Sequence, residues 1–309
     1  MKILFYGAGV LGSLYAARLA DSGHDVTVLA RGQRLADIRE HGVVLEEGET
    51  GRRTVTKVNV VDRLAPDDAY DLAVVVMRKN QVPAVLPGLA ANLRTPSVVF
   101  MVNNAAGPAE YVAALGRERV LLGFPGAGGG REGHVIRYHV VSGTTQPTTF
   151  GELDGRITPR LRRIAGAFKD AGFPVAISTN MDAWLKTHVA LVSPIANAIY
   201  MAGGNNYRLA HMPEGLALTI RAIREGFRVL RALGIPITPS KLRIVEWIPE
   251  PILVAILRRT LNTQRADVVM ARHANVARDE MRQLADEFAA LARSTHLPTP
   301  AMDRLATYI

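Results

Sequence analysis

The sequence contains no cysteine among its 309 residues. This absence excludes disulfide bonds, thiolate metal ligands and a cysteine nucleophile, and it agrees with a reducing compartment. Long apolar runs are missing too, since no stretch approaches the roughly 20 apolar residues that span a bilayer. The N-terminal residues have a strand pattern from the start and lack the charged region followed by an apolar region that is typical of a signal peptide. We therefore expect a soluble, cytoplasmic protein that has no membrane partner.

Negative charge is the scarcer sign, because 28 Asp and Glu stand against 37 Lys and Arg, for a net charge of +9. This balance favours anionic partners such as nucleic acid, phosphorylated cofactors or carboxylate substrates. Zinc-finger spacings, basic runs interleaved with aromatics and RNA-binding strand motifs are all missing, so we expect no nucleic-acid partner. Only six of the basic residues are lysines, which makes an interior lysine noticeable.

A glycine motif of the form Gly-x-Gly-x-x-Gly lies at Gly7, Gly9 and Gly12. Residues 2–6 before it and residues 26–30 after it are short apolar runs rich in β-forming side chains, and helical spacing separates them. This βαβ unit of about 30 residues is the context that a dinucleotide-binding glycine loop requires.

Apolar runs and helical segments continue to alternate along the first half of the chain, with further runs at 71–77, 97–102 and 119–124. This alternation predicts an α/β fold with a doubly wound parallel sheet of the Rossmann type. Residues 134–141 and 148–153 are expected to form a hairpin or an edge extension. The glycine-rich stretch 124–133 lacks the ending of a P-loop and is interpreted as a flexible loop.

Helical spacing takes over after residue 179, and long helices are predicted at 181–201, 213–234 and 263–294. The change predicts two domains, a dinucleotide-binding Rossmann domain over 1–179 and an all-helical domain for substrate and dimerisation over 180–309. The apolar stretch 249–261 is too short to span a membrane. We expect it to pack against the rest of the protein or against a second subunit of a homodimer.

Each residue of the glycine loop has a predicted task in binding a pyrophosphate. Gly7 makes the turn, Gly9 lets backbone amides reach the phosphates, and Gly12 allows the helix to pack closely on the strand. The backbone of Val10 and Leu11 lies at the helix N-terminus, where free N–H groups attract an anion.

The end of the second strand distinguishes NAD from NADP. An NAD enzyme usually places Asp or Glu there, on the ribose 2′-hydroxyl, whereas this strand ends in Arg31. A carboxylate repels a 2′-phosphate, and an arginine can donate two charge-assisted hydrogen bonds to it. We predict NADP(H) as the cofactor, with Arg31 on the 2′-phosphate and Arg34 as a second candidate. The alternative for both is a solvated arginine.

Five segments along the chain carry a resemblance to a known family: GAGVLG with VTVLARG, MRKNQV at 77–82, NNAAG at 103–107, AWLKTHVALVSP at 183–194, and RDEMRQLADEF at 278–288. Together they resemble the ketopantoate reductase (2-dehydropantoate 2-reductase) family over essentially the whole chain. The resemblance implies NADPH-dependent reduction of a 2-oxo acid to a 2-hydroxy acid, as in pantothenate biosynthesis, in a cleft between a Rossmann domain and a helical domain. The expected substrate is a small carbonyl compound that bears a carboxylate.

The resemblance also implies catalytic roles. Lys186 matches the family's general acid, Glu280 the glutamate that orients this lysine and contacts substrate, and Asn104 an asparagine near the nicotinamide and substrate. For the cofactor, the family's segments add Arg78, Gln81, Asn103 and, again, Asn104. The alternative for the two asparagines is a turn, which Asn pairs commonly form.

The residues themselves leave these roles open. Lys186 lies in a largely apolar helix, where it either emerges at the surface or faces a cleft. Glu280 lies on the predicted inward stripe of the last long helix, where a carboxylate needs a partner, either Lys186 or a purely structural ion pair. His273 lies on this stripe too and is expected to be an interior histidine. The stripe also contains Val269, Val276, Leu284, Phe288 and Leu291.

Several positions depart from the family pattern. Arg78 takes the place of a family lysine, and Lys79 lies one position further along. Ala190 stands where the family has a substrate-binding asparagine, and Asp267–Val268 stands where it has a serine that grips the substrate carboxylate. The candidate substrate residues of this chain are therefore Ser193 before Pro194, Asn197 and Asp267, and no metal site is expected.

These departures predict the same chemistry on another carbonyl substrate, because each hydrogen bond lost to a charged group is worth about 1.5 to 3 kcal/mol. Two alternatives remain open. One is a catalytically silent NADP-binding sensor or interaction module. The other is an imine reductase that resembles the opine dehydrogenases.

Overall fold

The structure is a computed structural model that describes residues 1–309. The chain divides into two compact units. The first consists of Met1–Val102 and Pro108–Met181, and the second of Asn103–Gly107 and Asp182–Ile309. The short segment Asn103–Gly107 therefore belongs with the C-terminal helices. The tasks predicted for residues 1–179 and 180–309 stay predictions.

The first unit contains all twelve strands and five helices. Strands β1 to β12 are Lys2–Tyr6, Asp25–Leu29, Val43–Glu47, Arg53–Thr56, Asn59–Val61, Leu72–Val75, Val98–Met101, Val120–Phe124, Ala127–Glu132, Val135–Val140, Thr148–Glu152 and Val175–Ile177. Helices α1 to α5 are Val10–Asp21, Gly32–His41, Leu86–Ala91, Ala109–Leu115 and Pro159–Asp170. A short 3-10 helix covers Lys79–Gln81.

Eight strands form one sheet in the order β12-β11-β8-β7-β6-β1-β2-β5. The strands from β8 to β5 are mutually parallel, whereas β11 pairs antiparallel with β8 and β12 runs parallel to β11. The apolar runs of the sequence become fully buried strands such as Leu72–Val75, as expected where helices cover both faces of a parallel sheet. The predicted α/β fold of the Rossmann type is confirmed.

A second sheet of four strands, in the order β4-β3-β10-β9, corrects two predictions. Residues 134–141 and 148–153 do not form a hairpin, because β10 lies in this sheet and β11 in the large one. The stretch 124–133 is not a loop either, since it supplies β9, which pairs antiparallel with β10. A Cβ at Gly129 would lie 2.2 Å from the Arg137 carbonyl oxygen, so close strand approach explains this glycine.

The second unit is helical. Helices α6 to α13 are Met181–Met201, Asn206–Ala210, Pro213–Ala232, Glu250–Leu261, Gln264–Ala266, Arg272–Val276, Arg278–Thr295 and Pro300–Ala306. A 3-10 helix covers Ser240–Glu246, and a π-helical segment covers Asp267–Ala271. Its core includes Val189 of α6, Phe227 of α8 and Phe288 of α12. No helix is both long and apolar enough to cross a membrane.

The continuous helix predicted over 263–294 is wrong. The π-helical segment interrupts it, and Ala277 leaves the helical conformation with φ −113° and ψ 36°. Of the predicted inward stripe, only the part from Glu280 onward is on the buried face; Val276 is 70% exposed, and Ala271, Ala274 and Ala277 are buried instead. The apolar helix α9 buries Leu253 and Leu261 but leaves Ile252 and Ile256 half exposed, and a homodimer through this surface stays a prediction.

Candidate active site

The glycine loop between β1 and α1 is closely fitted to the strand beside it. A Cβ at Gly7 would lie 2.3 Å from the carbonyl oxygen of Val76, and a Cβ at Gly12 would lie 1.9 Å from the carbonyl oxygen of Gly7. Gly7 also has a φ of +128°, which side chains rarely adopt. A Cβ at Gly9, in contrast, would meet nothing within 4 Å. The fold itself requires Gly7 and Gly12, whereas the space at Gly9 is open to a ligand.

The N-terminus of α1 is a suitable place for a phosphate. It has no side-chain cap and no acidic residue in its first turn, so the N–H groups of Val10 and Leu11 keep no side-chain acceptor. Oriented N–H groups and the helix dipole favour a negative charge there. Together with the open space at Gly9, these features fit the pyrophosphate of a dinucleotide.

Arg34 holds the glycine loop through hydrogen bonds to its backbone and to Ser13. Its guanidinium is buried and donates to the Ala8 carbonyl oxygen at 3.1 Å, to Ser13 Oγ at 3.0 Å and to the His134 carbonyl oxygen at 3.3 Å. Ser13 Oγ donates to the same Ala8 carbonyl oxygen. Because these contacts occupy the guanidinium, the prediction that Arg34 contacts a 2′-phosphate is wrong.

Arg31 is placed differently. It lies at the N-cap position of α2, at the end of β2, and its side chain is exposed. Its Nε donates a long hydrogen bond of 3.4 Å to the Asp62 carbonyl oxygen. An exposed guanidinium at this strand end can turn toward a phosphate, so the prediction for Arg31 stands as a prediction.

The segment after β6 shows what the shifted lysine does. Lys79 is only 2% exposed, and its Nζ donates to the Tyr111 hydroxyl at 3.1 Å and to Glu110 Oε2 at 3.5 Å. The ammonium also lies 4.7 Å from the centre of the Tyr111 ring. Lys79 is thus an interior cation of the first unit. Arg78, which precedes the 3-10 helix, and the exposed Gln81 remain the predicted cofactor contacts.

Lys186 lies on α6 of the second unit and is 7% exposed. Its Nζ forms an ion pair with Oδ2 of Asp182, one helical turn earlier, and Oδ1 of Asp182 is buried without a hydrogen-bond partner. The predicted partner was Glu280, so the structure corrects this pairing. The signal for Asp182 was the acid-to-lysine spacing of four residues on a helix.

A turn at Asn103–Gly107 lies against this ion pair. Asn104 Nδ2 donates to the Gly107 carbonyl oxygen at 2.8 Å, and the Gly107 N–H donates to Asn104 Oδ1 at 3.0 Å. A Cβ at Gly107 would lie 3.3 Å from Lys186 Nζ and 3.4 Å from Asp182 Oδ1. Asn104 therefore makes a turn that presents Gly107 to the lysine. Asn103 Oδ1 is buried and has no hydrogen-bond partner.

Glu287 anchors the same turn to α12. Its Oε2 accepts hydrogen bonds from the N–H groups of Ala105 at 3.0 Å and Ala106 at 3.1 Å, and its Oε1 accepts one from Gln283 Nε2 at 2.9 Å. Sequence reasoning missed this residue. Its signal was the spacing of seven residues from Glu280, which places both carboxylates on one helix face.

Glu280 is 3% exposed, and its Oε2 lies 4.0 Å from Nε2 of His273. The His273 side chain is 55% exposed, so its predicted interior position is wrong. The buried face before the break consists instead of Ala271, Ala274 and Ala277, and His273 does not lie on it. The predicted role of Glu280 toward substrate stays a prediction.

The candidate substrate residues are separated from Lys186. Ser193 and Asn197 line a cavity of about 460 Å³ between α6, α12 and α13, and Asn197 Oδ1 is buried there without a partner. Lys186, Glu280 and Asn104 are not among the residues that line it. With 1.5 Å of rise per residue, Ser193 lies roughly 10 Å from Lys186 along the helix.

Two departures from the family pattern have structural partners. Ala190 packs toward α8, since its Cβ would lie 3.2 Å from a Cβ at Gly226. An asparagine at this position would meet the neighbouring helix. Asp267 lies in the π-helical segment, and its Oδ2 accepts a hydrogen bond of 2.9 Å from Arg272 Nε. The predicted substrate contact from Asp267 would have to compete with this ion pair.

Comparison with known proteins identifies relatives along the whole chain. Residues 3–155 match the family model described as ketopantoate reductase PanE/ApbA. The 2-dehydropantoate 2-reductase of Halobacterium salinarum is 27% identical over 313 aligned residues, which cover 100% of this chain and 98% of that protein. The enzyme of the same name from Archaeoglobus fulgidus is 28% identical over 237 residues, or 75% of each chain.

Solved structures show the same fold. The 2-dehydropantoate 2-reductase from Geobacter metallireducens superposes with a TM-score of 0.82 at 16% identity, over 100% of this chain and 98% of that chain. A D-mandelate dehydrogenase, solved with NADH and anilino(oxo)acetate, superposes with a TM-score of 0.80 at 15% identity, over 100% of this chain and 97% of that chain.

Proposed function

We propose, since this chain belongs to the ketopantoate reductase family, that it reduces the carbonyl group of a 2-oxo acid to a 2-hydroxy acid with NADPH. The observation that carries the proposal is Lys186, a buried ammonium paired with a carboxylate beside a tightly held turn. A buried lysine of this kind is costly to keep, and pairing and hydrogen bonding are what make it tolerable.

The first unit supports the cofactor part of the proposal. The glycine loop and the uncapped N-terminus of α1 would hold the pyrophosphate, and Arg31 would bind the 2′-phosphate of NADPH. The bound nicotinamide supplies a hydride. Arg34 would contribute by holding the Ala8 carbonyl oxygen of the glycine loop.

The second unit supports the proton part. Reduction of a ketone leaves a developing alkoxide, which needs a proton from a positioned acid. Lys186 would donate it from Nζ, and the turn made by Asn104 and Gly107 would limit where Nζ can lie. Glu280 would contact the substrate, as in the family pattern.

The substrate differs from ketopantoate in this proposal. Ala190 packs toward α8, and Asp267 is paired with Arg272, so neither offers the free polar group that the family pattern has at these places. The same hydride and proton transfer would then act on another 2-oxo acid. Ser193 and Asn197, in their cavity, would bind a substituent of that acid.

Absorbance of NADPH at a fixed enzyme concentration tests the proposal. The panel consists of ketopantoate, small aliphatic 2-oxo acids and aryl 2-oxo acids such as phenylglyoxylate, and it is repeated with an amine present. We expect oxidation of NADPH with at least one 2-oxo acid and a slower rate with ketopantoate. Tight NADPH binding without any oxidation would favour the silent module, and oxidation only with an amine would favour an imine reductase. Either result would contradict the proposal.

A further inference from the structure

Asp182 is a carboxylate beside Lys186 that the proposed reaction does not use. It lies in the first turn of α6, where the helix dipole favours negative charge, and four residues before the lysine, where the two side chains meet. The Lys186 side chain is 9% exposed and that of Asp182 is 38% exposed. An ammonium this deeply buried requires a compensating charge, and Asp182 supplies it.

The other side of the lysine is bounded by backbone. The missing Cβ of Gly107 leaves room for Lys186 Nζ, with 3.3 Å between the two positions, and for Asp182 Oδ1, with 3.4 Å. The turn itself is held by Asn104 within it and by Glu287 from α12. Nζ therefore lies between a carboxylate and a fixed turn, and its freedom to rotate is small.

We propose that Asp182 is a positioning residue that holds Nζ of Lys186 against the Asn103–Gly107 turn, so that the lysine presents its proton from one place. This inference rests on the proposed role of Lys186 as the acid. In that reaction the carbonyl π bond would break as a C–H bond forms with the hydride that a C–H bond of NADPH gives up, and an O–H bond would form as an N–H bond of Lys186 breaks. The neutral amine then regains a proton from water. Asp182 neither gives nor takes a proton.

Substitutions at Asp182 test the inference with the 2-oxo acid that the enzyme reduces fastest. We expect Asp182→Ala and Asp182→Asn to lower kcat by about 10- to 100-fold, since a small misplacement of a reacting group has effects of this size. The KM of the 2-oxo acid and the affinity for NADPH should change little. Asp182→Glu, which keeps the carboxylate, should recover much of kcat.

Glu250→Gln is the matched control, because it also replaces a carboxylate in an ion pair of the second unit, the one with Arg221. This variant should keep the wild-type kcat. Thermal unfolding of every variant separates positioning from folding. A lowered unfolding temperature together with no recovery in Asp182→Glu would assign Asp182 a merely structural role and overturn the inference.

The double variant Lys186→Ala with Asp182→Ala gives the sharpest result. A residue that acts only through the lysine has nothing left to position, so the double variant should be no slower than Lys186→Ala alone. Further slowing would give Asp182 an independent role and overturn the inference. A slow Lys186→Ala beside unchanged Asp182 variants would overturn this inference and leave the proposed function standing. An unimpaired Lys186→Ala would overturn the proposed function itself.

Discussion

Asn104 and Gly107 are joined by two reciprocal hydrogen bonds, 2.8 Å from Asn104 Nδ2 to the Gly107 carbonyl oxygen and 3.0 Å from the Gly107 N–H to Asn104 Oδ1. Asn104 is 1% exposed, and both polar groups of its side chain form the hydrogen bonds of this turn. The same turn also lies against Lys186. Asn104 is thereby linked to the proposed acid through backbone geometry.

Replacement of Asn104 by alanine should therefore affect stability and turnover together. The variant leaves two buried backbone groups unpaired, which costs about 1 to 3 kcal/mol for each unsatisfied group, and it frees the turn beside Lys186. We expect a lower unfolding midpoint and a lower kcat. Asn205→Ala is the control, because it removes an exposed cap of α7 and should lower stability by about 1 kcal/mol without changing kcat. Equal kcat in both variants would contradict the link.

Alanine at two positions of the glycine loop should have opposite effects. Gly12→Ala introduces a Cβ 1.9 Å from the Gly7 carbonyl oxygen, so the loop must shift and the unfolding temperature should fall strongly. Gly9→Ala enters open space and should unfold like the wild type, but its methyl group would occupy the place proposed for the pyrophosphate. NADPH titration should then show weakened binding in Gly9→Ala. Normal NADPH affinity in this variant would contradict the proposed phosphate position.

Arg31→Ala tests the choice between NADPH and NADH. The loss of charge-assisted hydrogen bonds to a 2′-phosphate is worth about 1.5 to 3 kcal/mol, or roughly 10- to 150-fold in affinity. We expect NADPH binding to weaken by this factor while NADH binding changes little, as measured by fluorescence titration. Arg39→Ala, at an exposed arginine of the same helix, is the control. Equal losses for both cofactors in Arg31→Ala would refute a contact with the 2′-phosphate.

His188 should make the second unit sensitive to acid. It stacks on Trp184 with ring centres 5.3 Å apart. Burial of the ring is the main cause, and the charge of the nearby His273 the second cause, that lowers the pKa of His188 to about 4. Below pH 6.5 this histidine becomes protonated in the unfolded chain, whereas in the folded protein it stays neutral until about pH 4. The stability present above pH 6.5 is therefore lost progressively between these two values.

The size of this loss has an upper bound. A shift from 6.5 to about 4 corresponds to a loss of up to about 3 kcal/mol, and the ring's partial exposure to solvent reduces it. We expect His188→Gln to unfold with a weaker pH dependence than the wild type between pH 6.5 and 4 in denaturant titrations. His211→Gln, at an exposed histidine, serves as control. Parallel pH curves for the wild type and His188→Gln would contradict the prediction.

Periodic patterns in the sequence were sufficient where local chemistry decides the structure. Helix α6 spans Met181–Met201, as its spacing predicts, and the βαβ unit around the glycine motif forms as expected. The prediction of a loop from the glycines of 124–133 was wrong for a physical reason. Glycine serves both flexible loops and close strand contacts, and only the closeness of the Arg137 carbonyl oxygen to Gly129 distinguishes the two.

The site could be predicted only in part, because its contacts depend on tertiary structure. The break at Ala277 carries no proline or glycine signal, so the exposure of His273 could not be foreseen. The contact from Glu287 to the turn at Ala105 joins residues far apart in sequence. Asp182 is the exception, since its spacing of four residues from Lys186 on a helix is visible in the sequence and predicts the ion pair, although the more distant Glu280 was the predicted partner.

The central claim is that Lys186 supplies the proton, and the turnover number of Lys186→Ala tests it most directly. Lys169→Ala, at an exposed lysine, is the matched control and should behave as the wild type. With the best 2-oxo acid of the panel, we expect kcat of Lys186→Ala to fall by about 10² to 10⁴, the usual contribution of a general acid, while NADPH affinity is retained. An undiminished kcat in Lys186→Ala would contradict the account.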